Sequence, residues 1–498
     1  MKFFNLIIAS LFLFGSNSSL LMADGKKTSI GEPKISTTQH QGRFNGERVN
    51  YSATAGETFI KDREGKLTGS IFSVSYVKNG ESDPATRPVT FFYNGGPGSS
   101  SVWLHMGAFG PKRVAVPNDA KDDGAAPFRM VDNPSVFLDV TDIVFIDPVG
   151  TGFSKPLGES EGSDFWGVHE DAQSIEQFIR TWLTTNGRWN SPKYIGGESY
   201  GTTRSAALIR ELEGGFDDVS INGIILVSTI LDFGLRSNNP GQELAYMVYL
   251  PTMAMTSLYH GKISTDKSLE NFAQEARDFA INVYGPALLK GNSLQGQERA
   301  KIRSRLAYYT GLSETYLENA NLRVHYQRYL KEIVREDGMS AGRLDGRYLG
   351  QDFDNGGETP DTDPSFYGID GAYTAALNSY LRSDLGYSTD EQYYIIGGVT
   401  ERWNWDLNSR DTQYYKNVAP YIGDAMRGNS ELRVYNAAGY YDFATPFFGA
   451  EYSMNRSGID NSRVTYSYFE AGHMVYLPET SLIRLNNEIR EFIKAGKQ

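Results

Sequence analysis

The stretch YIGGESYG at residues 194–201 decides the fold, because it leads from an apolar run into a helix-like segment through one short turn. Within it, Gly197-x-Ser199-x-Gly201 matches the nucleophile-elbow pattern, in which small residues permit a sharp, strained turn around a serine. Such a turn raises the Ser199 hydroxyl above a sheet, at the start of a helix whose dipole favours negative charge. A chance turn is the alternative interpretation, so the elbow hypothesis needs partner residues elsewhere in the chain.

Short apolar runs on both sides of this stretch predict buried parallel strands, since strands covered on both sides lack a polar face. They occur at Val89–Tyr93, Ile143–Ile146, Lys193–Ile195, Ile221–Val227, Leu432–Asn436 and Val464–Phe469. Alternating residues over Arg48–Lys78 predict antiparallel strands, and apolar residues at helical spacing over Asp164–Leu183 predict an amphipathic helix. This alternation of strands and helices indicates an α/β fold with a mostly parallel central sheet flanked by helices.

The strand pattern is interrupted once, which indicates an insertion. Residues 240–395 contain helix-like stretches, and we predict that they form a helical cap on a sheet domain made of residues 46–239 and 396–498. Helices are expected at Asp266–Val283, Gln297–Thr310, Ser313–Glu332 and, at the end of the chain, Glu479–Ala495. Residues 24–45 are polar without periodicity, which predicts a flexible lead.

An acidic, glycine-containing loop lies at Gln351–Asp363 inside the insertion. Calcium binding is one interpretation of its carboxylates, since calcium prefers oxygen ligands. The spacing does not match a known calcium loop, and this favours a solvated loop without a metal ion.

The composition excludes several classes of function. The chain of 498 residues has 48 Lys and Arg against 60 Asp and Glu, a net charge of −12, and no cysteine. The acidic balance argues against nucleic-acid binding, which needs clustered positive charge. The absence of cysteine excludes disulfides, thiolate metal sites and a cysteine nucleophile.

The N-terminus has the pattern of a secretory signal peptide. Lys2 precedes the apolar run Phe3–Gly15, and small and polar residues lead to Ala23, so we predict a signal peptide over residues 1–23. The run is shorter than the ~20 residues of a membrane span, which disfavours the alternative of an uncleaved anchor. An exported chain without cysteine is stable without disulfides. We therefore expect a periplasmic or extracellular protein that is not inserted in a membrane after cleavage.

A base and an acid for the predicted nucleophile follow it along the chain. A serine hydroxyl needs a base, and folds with this elbow present serine, acid and histidine in that order. His473 directly follows the last predicted strand, and Asp442 follows the strand before it. Two other histidines after Ser199 fall in the predicted insertion and are interpreted as surface or packing residues, namely His260 and His325.

An oxyanion hole requires two backbone N–H groups beside the nucleophile. One is expected from Tyr200, the residue after the nucleophile. The other is expected from the glycine-rich loop NGGPGSSS at residues 94–101, which follows an early strand. Phosphate binding is the competing interpretation of this loop, but the chain has neither the Lys-Ser/Thr of a P-loop nor Rossmann spacing there.

These sequence blocks resemble the signatures of the serine carboxypeptidase family. The blocks are NGGPGSSS at residues 94–101, IVFIDPVGTGFS at 143–154, GESYG at 197–201, GYYD at 439–442 and GHMV at 472–475. They occur in order across about residues 88–480, with the helical insertion where the family carries its cap. The resemblance implies an α/β-hydrolase fold. Together with the predicted signal peptide and the absence of cysteine, it indicates a bacterial exported member.

The resemblance also implies a role for each residue of the predicted site. Ser199 is expected to be the nucleophile, His473 the general base, and Asp442 the acid that orients it. The oxyanion hole is expected from the backbone N–H groups of Gly96 and Tyr200.

The resemblance further implies that Asn94, Gly95 and Glu198 bind the C-terminal carboxylate of a peptide. A glutamate binds a carboxylate only while one of the two groups is protonated, because like charges repel. Family members of this design therefore favour acidic pH. The alternative interpretation of Glu198 is a structural acid paired with a backbone donor.

Four positions depart from the family pattern, namely Phe92, Ser99, Ala108 and Thr202. Ala108 matters most, because the family often carries a second glutamate there, and its absence puts the carboxylate site and the acidic pH preference in doubt. His105 lies in the same segment and is expected either to supply a positive charge or to pack in the core.

The sequence therefore predicts an exported serine carboxypeptidase that acts on peptides with a free C-terminus through an acyl-enzyme, without metal or cofactor. A serine esterase or acyltransferase is the alternative, because a fold does not choose its substrate. Glu198 beside the nucleophile favours the peptidase, whereas Ala108 favours the alternative. A binding protein that kept the scaffold is a third interpretation, which the intact serine, acid and histidine disfavour.

Overall fold

A ten-stranded sheet lies at the centre of the molecule, a computed structural model that describes residues 30–81, 83–117, 120–121, 124–236, 239–367, 369–407 and 416–496. The strands are β1 (Ile35–Phe44), β2 (Glu47–Lys61), β3 (Leu67–Lys78), β4 (Val89–Tyr93), β5 (Lys112–Val114), β6 (Met130–Asp132), β7 (Asp142–Ile146), β8 (Lys155–Pro156), β9 (Lys193–Glu198), β10 (Gly223–Val227), β11 (Ser340–Ala341), β12 (Leu349–Gly350), β13 (Arg433–Gly439) and β14 (Val464–Phe469). β5 pairs with β6 and β11 with β12 in two small separate sheets.

The order of strands across the central sheet is β1-β2-β3-β7-β4-β9-β10-β13-β14, and β8 pairs with β3. The strands from β7 to β14 in this order pair in parallel, whereas β1, β2 and β3 add antiparallel strands at one edge. The carboxyl ends of β4, β9, β13 and β14 therefore meet at one edge of the sheet, where ligand sites of parallel sheets gather. The α/β class predicted from the apolar runs is confirmed.

The helices are α1 (Val168–Thr185), α2 (Tyr200–Glu213), α3 (Leu244–Tyr259), α4 (Leu269–Phe279), α5 (Gly285–Lys290), α6 (Gly296–Thr310), α7 (Glu314–Asn319), α8 (Tyr326–Glu332), α9 (Pro364–Tyr367), α10 (Asp370–Ser383), α11 (Ala419–Gly428), α12 (Phe447–Met454) and α13 (Glu479–Ala495). Because strand residues alternate between faces, Phe91 of β4 packs on the side of α1, α2 and α11, and Phe92 packs on the side of α10 and α13. Both faces of the sheet are thus covered.

The segment predicted as a cap has an apolar cluster of its own. Helices α3 to α8 bury residues such as Met253, Phe279 and Leu306 against one another. The cluster continues into Tyr440 and Phe443, which follow β13. The division into a sheet domain and a cap stays a prediction, because the described residues from Pro33 onward form one compact unit.

Two expectations about secondary structure are wrong. Ile35–Phe44, in the predicted flexible lead, forms β1 and pairs with β2 along its whole length. The apolar pattern missed it because only Phe44 of this edge strand is buried, so backbone hydrogen bonds hold it. The single helix predicted over Ser313–Glu332 is two helices, α7 and α8, because Asn321 and Leu322 between them adopt φ of 52° and 61°.

The predicted signal peptide at residues 1–23 and the lead up to residue 29 lie outside the described residues. The described residues 30–32 carry neither helix nor strand. Among the described helices, none is long and apolar enough to cross a membrane.

Candidate active site

The turn between β9 and α2 consists of one residue, Ser199. β9 ends at Glu198 and α2 begins at Tyr200, and Ser199 adopts φ 61° and ψ −129°. This backbone conformation costs a non-glycine residue about 1–3 kcal/mol. A Cβ on Gly197 would lie 2.2 Å from the carbonyl oxygen of Gly201, so a side chain there would block the turn. The strain is therefore concentrated at the predicted nucleophile, as an elbow requires.

Two side chains of α2 stabilise the elbow through hydrogen bonds. Thr202 Oγ1 donates to the carbonyl oxygen of Ser199 at 2.7 Å and accepts a backbone N–H from the loop after β10 at 2.9 Å. The fully buried Arg204 pairs with Asp171 at 2.6 Å and donates to the carbonyl oxygen of Asn94. Thr202, a departure from the family pattern, thus ties the elbow to the neighbouring strand. The motifs in the sequence gave no signal for Arg204 and Asp171.

The predicted acid and base meet after β13 and β14. His473 Nδ1 lies 2.8 Å from Asp442 Oδ2. Asp442 is fully buried and accepts the backbone N–H groups of Ala444 and Thr445 at 2.7 and 2.9 Å and the Thr445 hydroxyl at 2.6 Å. A carboxylate held by so many donors is fixed in place and orients the imidazole through Nδ1.

The environment of His473 favours its charged form. Burial opposes the imidazolium, but the charge of Asp442 and its hydrogen bond outweigh burial and raise the pKa of His473. His473 and Ser199 line the same pocket, and no hydrogen bond joins the two side chains among the described residues. Such catalytic hydrogen bonds commonly tighten only when substrate is bound.

The glycine-rich loop after β4 lies against the elbow. A Cβ on Gly95 would lie 2.4 Å from the backbone nitrogen of Tyr200 and 2.7 Å from the carbonyl oxygen of Glu198, so only glycine permits this approach. Gly96 has φ +104°, which side chains rarely adopt. The structure thus brings the two predicted oxyanion-hole residues, Gly96 and Tyr200, to one pocket.

A buried carboxylate from the block at 143–154 supports this loop. Asp147 accepts the backbone N–H of Ser101 at 2.8 Å and the hydroxyl of Tyr393 at 2.7 Å. Burial raises the pKa of Asp147 to about 6, although both hydrogen bonds act in the opposite direction. Asp147 therefore links the end of β7 to the glycine loop and to the chain beyond α10.

Glu198 is a buried acid with two side-chain donors. Its Oε2 accepts the Asn94 amide at 2.9 Å and the Tyr476 hydroxyl at 2.8 Å. Burial raises the pKa of Glu198 to about 7, against the opposing effects of His473 and these two donors. Asn94 is held in turn, since its Oδ1 accepts the backbone N–H of Leu104 at 3.0 Å. Sequence reasoning missed Tyr476, although it lies three residues after His473.

The two interpretations of His105 are decided in favour of packing. Its Nε2 lies 2.6 Å from the Tyr76 hydroxyl, and its ring stacks on Phe145 with centroids 4.3 Å apart. Burial lowers the pKa of His105 to about 3, so the ring is uncharged and supplies no positive charge. Ala108 is also fully buried, within the same core.

The histidines of the insertion are bound to backbone atoms. His260 Nε2 lies 2.7 Å from the carbonyl oxygen of Gly346. His325 precedes α8 and its Nδ1 accepts the backbone N–H of Gln327 at 3.2 Å. Both serve the packing of the insertion.

The expectation of a solvated acidic loop at Gln351–Asp363 is wrong for two of its carboxylates. Asp352 forms a buried ion pair with Lys331 at 2.5 Å. Asp363 accepts the backbone N–H groups of Arg343 and Leu344 at 3.0 and 3.2 Å. Intramolecular donors thus occupy oxygens that the calcium interpretation needs. No group of three histidines or carboxylates suited to a metal ion occurs within the described ranges.

The predicted site residues surround one pocket of about 600 Å³. Its lining includes every predicted site residue except the fully buried Asp442. Further lining residues come from the segment 240–395, from aromatic positions that no motif identified, and from Arg236. They are Trp103, Phe233, Arg236, Tyr326, Gln327, Arg343, Leu344, Phe366 and Trp405. Long-range packing places these residues, which explains why sequence reasoning missed them.

A sequence profile described as serine carboxypeptidase matches residues 72–476. The match spans more than half of the chain and includes every site residue above. The chain belongs to the serine carboxypeptidase family. The resemblance inferred from five short blocks is thereby confirmed over residues 72–476.

Curated relatives of this serine carboxypeptidase family member come from Arabidopsis thaliana. Serine carboxypeptidase-like 16 is 29% identical over 174 residues, which cover 33% of this chain and 38% of that protein. Serine carboxypeptidase-like 19 is 25% identical over 287 residues, which cover 55% of this chain and 57% of that protein. The chain thus spans between about a third and just over half of the length of these relatives.

A solved structure with the same fold is that of Kex1(delta)p, a prohormone-processing carboxypeptidase from Saccharomyces cerevisiae. The TM-score is 0.51 at 15% identity, and the superposition covers 89% of this chain and 91% of that one. At this identity the likeness shows the fold alone. It confirms the α/β-hydrolase architecture that the serine carboxypeptidase resemblance implies.

Proposed function

We propose that this protein is a serine carboxypeptidase that releases C-terminal amino acids from peptides. One observation carries the proposal: the strained Ser199, the His473–Asp442 pair and the buried Glu198 belong to one site around a single pocket. A nucleophile, a base with its orienting acid, and a group for the substrate's carboxylate are the parts that this reaction needs.

The proposed reaction begins when Ser199 Oγ attacks the carbonyl carbon of the last peptide bond and His473 Nε2 takes its proton. The backbone N–H groups of Gly96 and Tyr200 stabilise the oxyanion. His473 then donates the proton to the nitrogen of the leaving amino acid, the C–N bond breaks, and an acyl-enzyme remains on Ser199. Water gives a proton to His473 and attacks the acyl carbon. The ester bond to Ser199 Oγ then breaks, His473 returns the proton to this oxygen, and the shortened peptide is released. Asp442 stabilises the imidazolium throughout.

Specificity for the chain end is assigned to Asn94, Gly95 and Glu198. With a pKa of about 7, Glu198 stays protonated through the acidic range and is able to donate a hydrogen bond to the substrate's carboxylate. Asn94 and Tyr476 fix the position of that carboxyl group. The absence of a second glutamate at position 108 is therefore compatible with the proposal.

We further propose that the protein is exported to the periplasm or the cell exterior, with residues 1–23 as signal peptide. The support is the charge and apolar pattern of those residues. Residues 240–395 are proposed to act as the cap, because they contribute Tyr326, Gln327 and Arg343 to the pocket that Ser199 lines.

The test compares one peptide with a free C-terminus and the same peptide with a C-terminal amide. Mass spectrometry would follow the products between about pH 4 and pH 8, across the titration range of Glu198 and His473. We expect stepwise loss of residues from the free acid only, and no cleavage by a Ser199→Ala variant.

Two outcomes would contradict parts of the proposal. Equal cleavage of the free-acid peptide and its C-terminal amide would contradict the role of Asn94 and Glu198 in binding the substrate's carboxylate. If neither peptide were cleaved while a serine-directed phosphonate still labelled Ser199, the peptidase proposal would be wrong. Ester hydrolysis or acyl transfer would then be the remaining functions.

A further inference from the structure

Arg236 is a positively charged side chain in the pocket that the proposed reaction does not use. It ends a short 3-10 turn, Phe233–Arg236, and lines the pocket together with Ser199, His473 and Glu198. The polar neighbours of its guanidinium are the hydroxyls of Tyr249 and Tyr326. Among the described residues no carboxylate forms an ion pair with it. A half-buried guanidinium without an anion is an uncompensated charge in a partly desolvated site.

The surroundings of Arg236 also hold an unsatisfied donor. The Tyr249 hydroxyl is buried, and apart from the Arg236 guanidinium it has no hydrogen-bond partner among the described residues. Its ring stacks on Tyr326, with centroids 4.6 Å apart and planes at 7°. Tyr326 lines the pocket. A guanidinium and two hydroxyls are all able to donate hydrogen bonds, and one carboxylate accepts several such bonds at once.

A second arginine adds to the positive charge of this pocket. Arg343 lies in the lining, and its Nε is 3.7 Å from Asp363, so its charge is balanced only in part. The lining therefore contains two arginines and a single acid, Glu198, which is neutral below a pKa of about 7. The whole chain has a net charge of −12, so this local excess of positive charge runs against the protein's general field.

We propose that Arg236 is the core of an anion subsite that selects peptides with an aspartate or glutamate side chain beside the scissile bond. The proposal rests on the proposed carboxypeptidase function and names its substrate class. Asn94 and Glu198 are assigned to the C-terminal carboxylate, so the carboxylate that Arg236 takes is the acidic side chain. Arg343 supports it at longer range.

The test uses peptides that differ only in carrying Glu, Gln or Lys at the last or the next-to-last position. At about pH 6.5 the glutamate side chain is ionised. We expect kcat/KM for Glu over Gln to be about tenfold or higher at one of the two positions, with Lys poorest. An Arg236→Gln variant should reduce that ratio to about one, and Arg236→Lys should keep part of it. The matched control is Arg382→Gln, which removes an exposed arginine of α10 and should leave the ratio unchanged.

Binding to a Ser199→Ala protein separates this proposal from the proposed function. Calorimetry should show tighter binding of the Glu peptide than of the Gln peptide, and the difference should vanish in the Ser199→Ala, Arg236→Gln double variant. If the wild-type protein cleaves no peptide while this binding difference persists, the peptidase fails and the anion subsite stands. Equal kcat/KM for the Glu and Gln peptides in the wild type would overturn the proposed anion subsite. A Glu-to-Gln ratio of kcat/KM that Arg236→Gln leaves unchanged would overturn it as well. If Arg236→Gln lowered kcat/KM equally for all free-acid peptides, Arg236 would bind the C-terminal carboxylate, and the proposed anion subsite would again be overturned.

Discussion

The two walls of the candidate active-site pocket differ in how their polar groups are held. The sheet wall consists of loops at the carboxyl ends of strands, with Asn94, Gly95, Gly96, Glu198, Ser199, Thr445 and His473. The insertion wall consists of Tyr326, Gln327, Arg343, Leu344 and Phe366. On the sheet wall several polar side chains are buried and paired with one another, as at the His473–Asp442 and Asn94–Glu198 contacts. On the insertion wall Arg343 has its acid 3.7 Å away, and Gln327 is exposed.

Under the proposed function, this difference matches a division between residues that react and residues that select the substrate. Catalytic groups must keep their geometry to within a fraction of an ångström, which needs side chains fixed by backbone donors. Groups that only choose among substrates tolerate looser positions, because they contact parts of the substrate that do not react. One backbone contact joins the walls, since the N–H of His473 donates to the carbonyl oxygen of Leu344 at 2.6 Å.

The largest effect is expected on the sheet wall, for Asp442→Asn. The asparagine amide carries no negative charge. It therefore accepts a weaker hydrogen bond from His473 Nδ1–H and no longer stabilises the imidazolium. Loss of this acid from a Ser-His-Asp triad lowers kcat by about 10⁴-fold, and we expect the same order here in a peptide-cleavage assay. Thermal unfolding of the variant would check that the fold is kept. A decrease of less than about tenfold would contradict the assignment of Asp442.

A second effect on the sheet wall is a change of pH dependence in Glu198→Gln. The raised pKa of His473 makes kcat/KM increase with pH as the base loses its proton. The Glu198 carboxyl, with a pKa of about 7, ionises around neutral pH and repels the substrate's carboxylate, so above pH 7 kcat/KM of the wild type should fall relative to that of Glu198→Gln. Glutamine stays neutral, and the fall should disappear. The exposed Arg382→Gln variant serves as the control, and its profile should keep the fall above pH 7.

The same substitution should change how stability depends on pH. The folded state keeps the Glu198 proton up to about pH 7, whereas the unfolded chain releases it near its ordinary pKa of 4.5. The folded state thus binds more protons between these values, so its stability falls as pH rises through this window, by about 3 kcal/mol in total. Unfolding of the wild type and Glu198→Gln at pH 4 and pH 8 should differ accordingly. Parallel pH dependences would contradict the raised pKa.

The sheet wall was predictable from sequence because its geometry is local. A one-residue turn at Ser199 requires small neighbours, and the close approach of Gly95 to Tyr200 requires glycine, so both leave fixed spacings in the chain. Parallel strands with two buried faces leave apolar runs, and Val89–Tyr93 matches β4 residue for residue. Val464–Phe469 matches β14 equally well, although only Ser467 and Phe469 of this edge strand are buried. Backbone constraints of this kind therefore appear as short motifs in the sequence.

The insertion wall was not predictable, because its residues reach the pocket through contacts distant in the chain. Nothing within the neighbourhood of Tyr326 or Arg343 indicates that these residues face Ser199. The same holds for Arg204 with Asp171, 33 residues apart, and for Tyr476 with Glu198, 278 residues apart. Only the folded chain shows that a tyrosine hydroxyl is the second donor to Glu198.

A smaller effect on the sheet wall is expected for Tyr476→Phe. The variant removes one of the two side-chain donors to Glu198 and keeps the ring. A hydrogen bond of this kind contributes about 1 kcal/mol, so kcat/KM should fall about fivefold. Because the hydroxyl favours the charged form of Glu198, its loss raises the pKa of Glu198 further, and the decline above pH 7 should move to higher pH. Tyr466→Phe is the matched control, since that hydroxyl bonds Asn461 at the surface, and it should leave the pH profile unchanged.

The smallest effect is expected on the insertion wall, for Gln327→Ala. Gln327 is exposed at the pocket, and its backbone N–H, which the substitution keeps, holds it to His325. Loss of an exposed side chain changes a free energy by about 0.5 kcal/mol, so kcat on any one peptide should stay within about threefold of the wild type. The effect should appear in KM and differ between peptides, because this wall contacts the substrate without taking part in bond breaking. A decrease in kcat that is equal for every peptide would place Gln327 with the sheet wall and would remove the division of labour between the two.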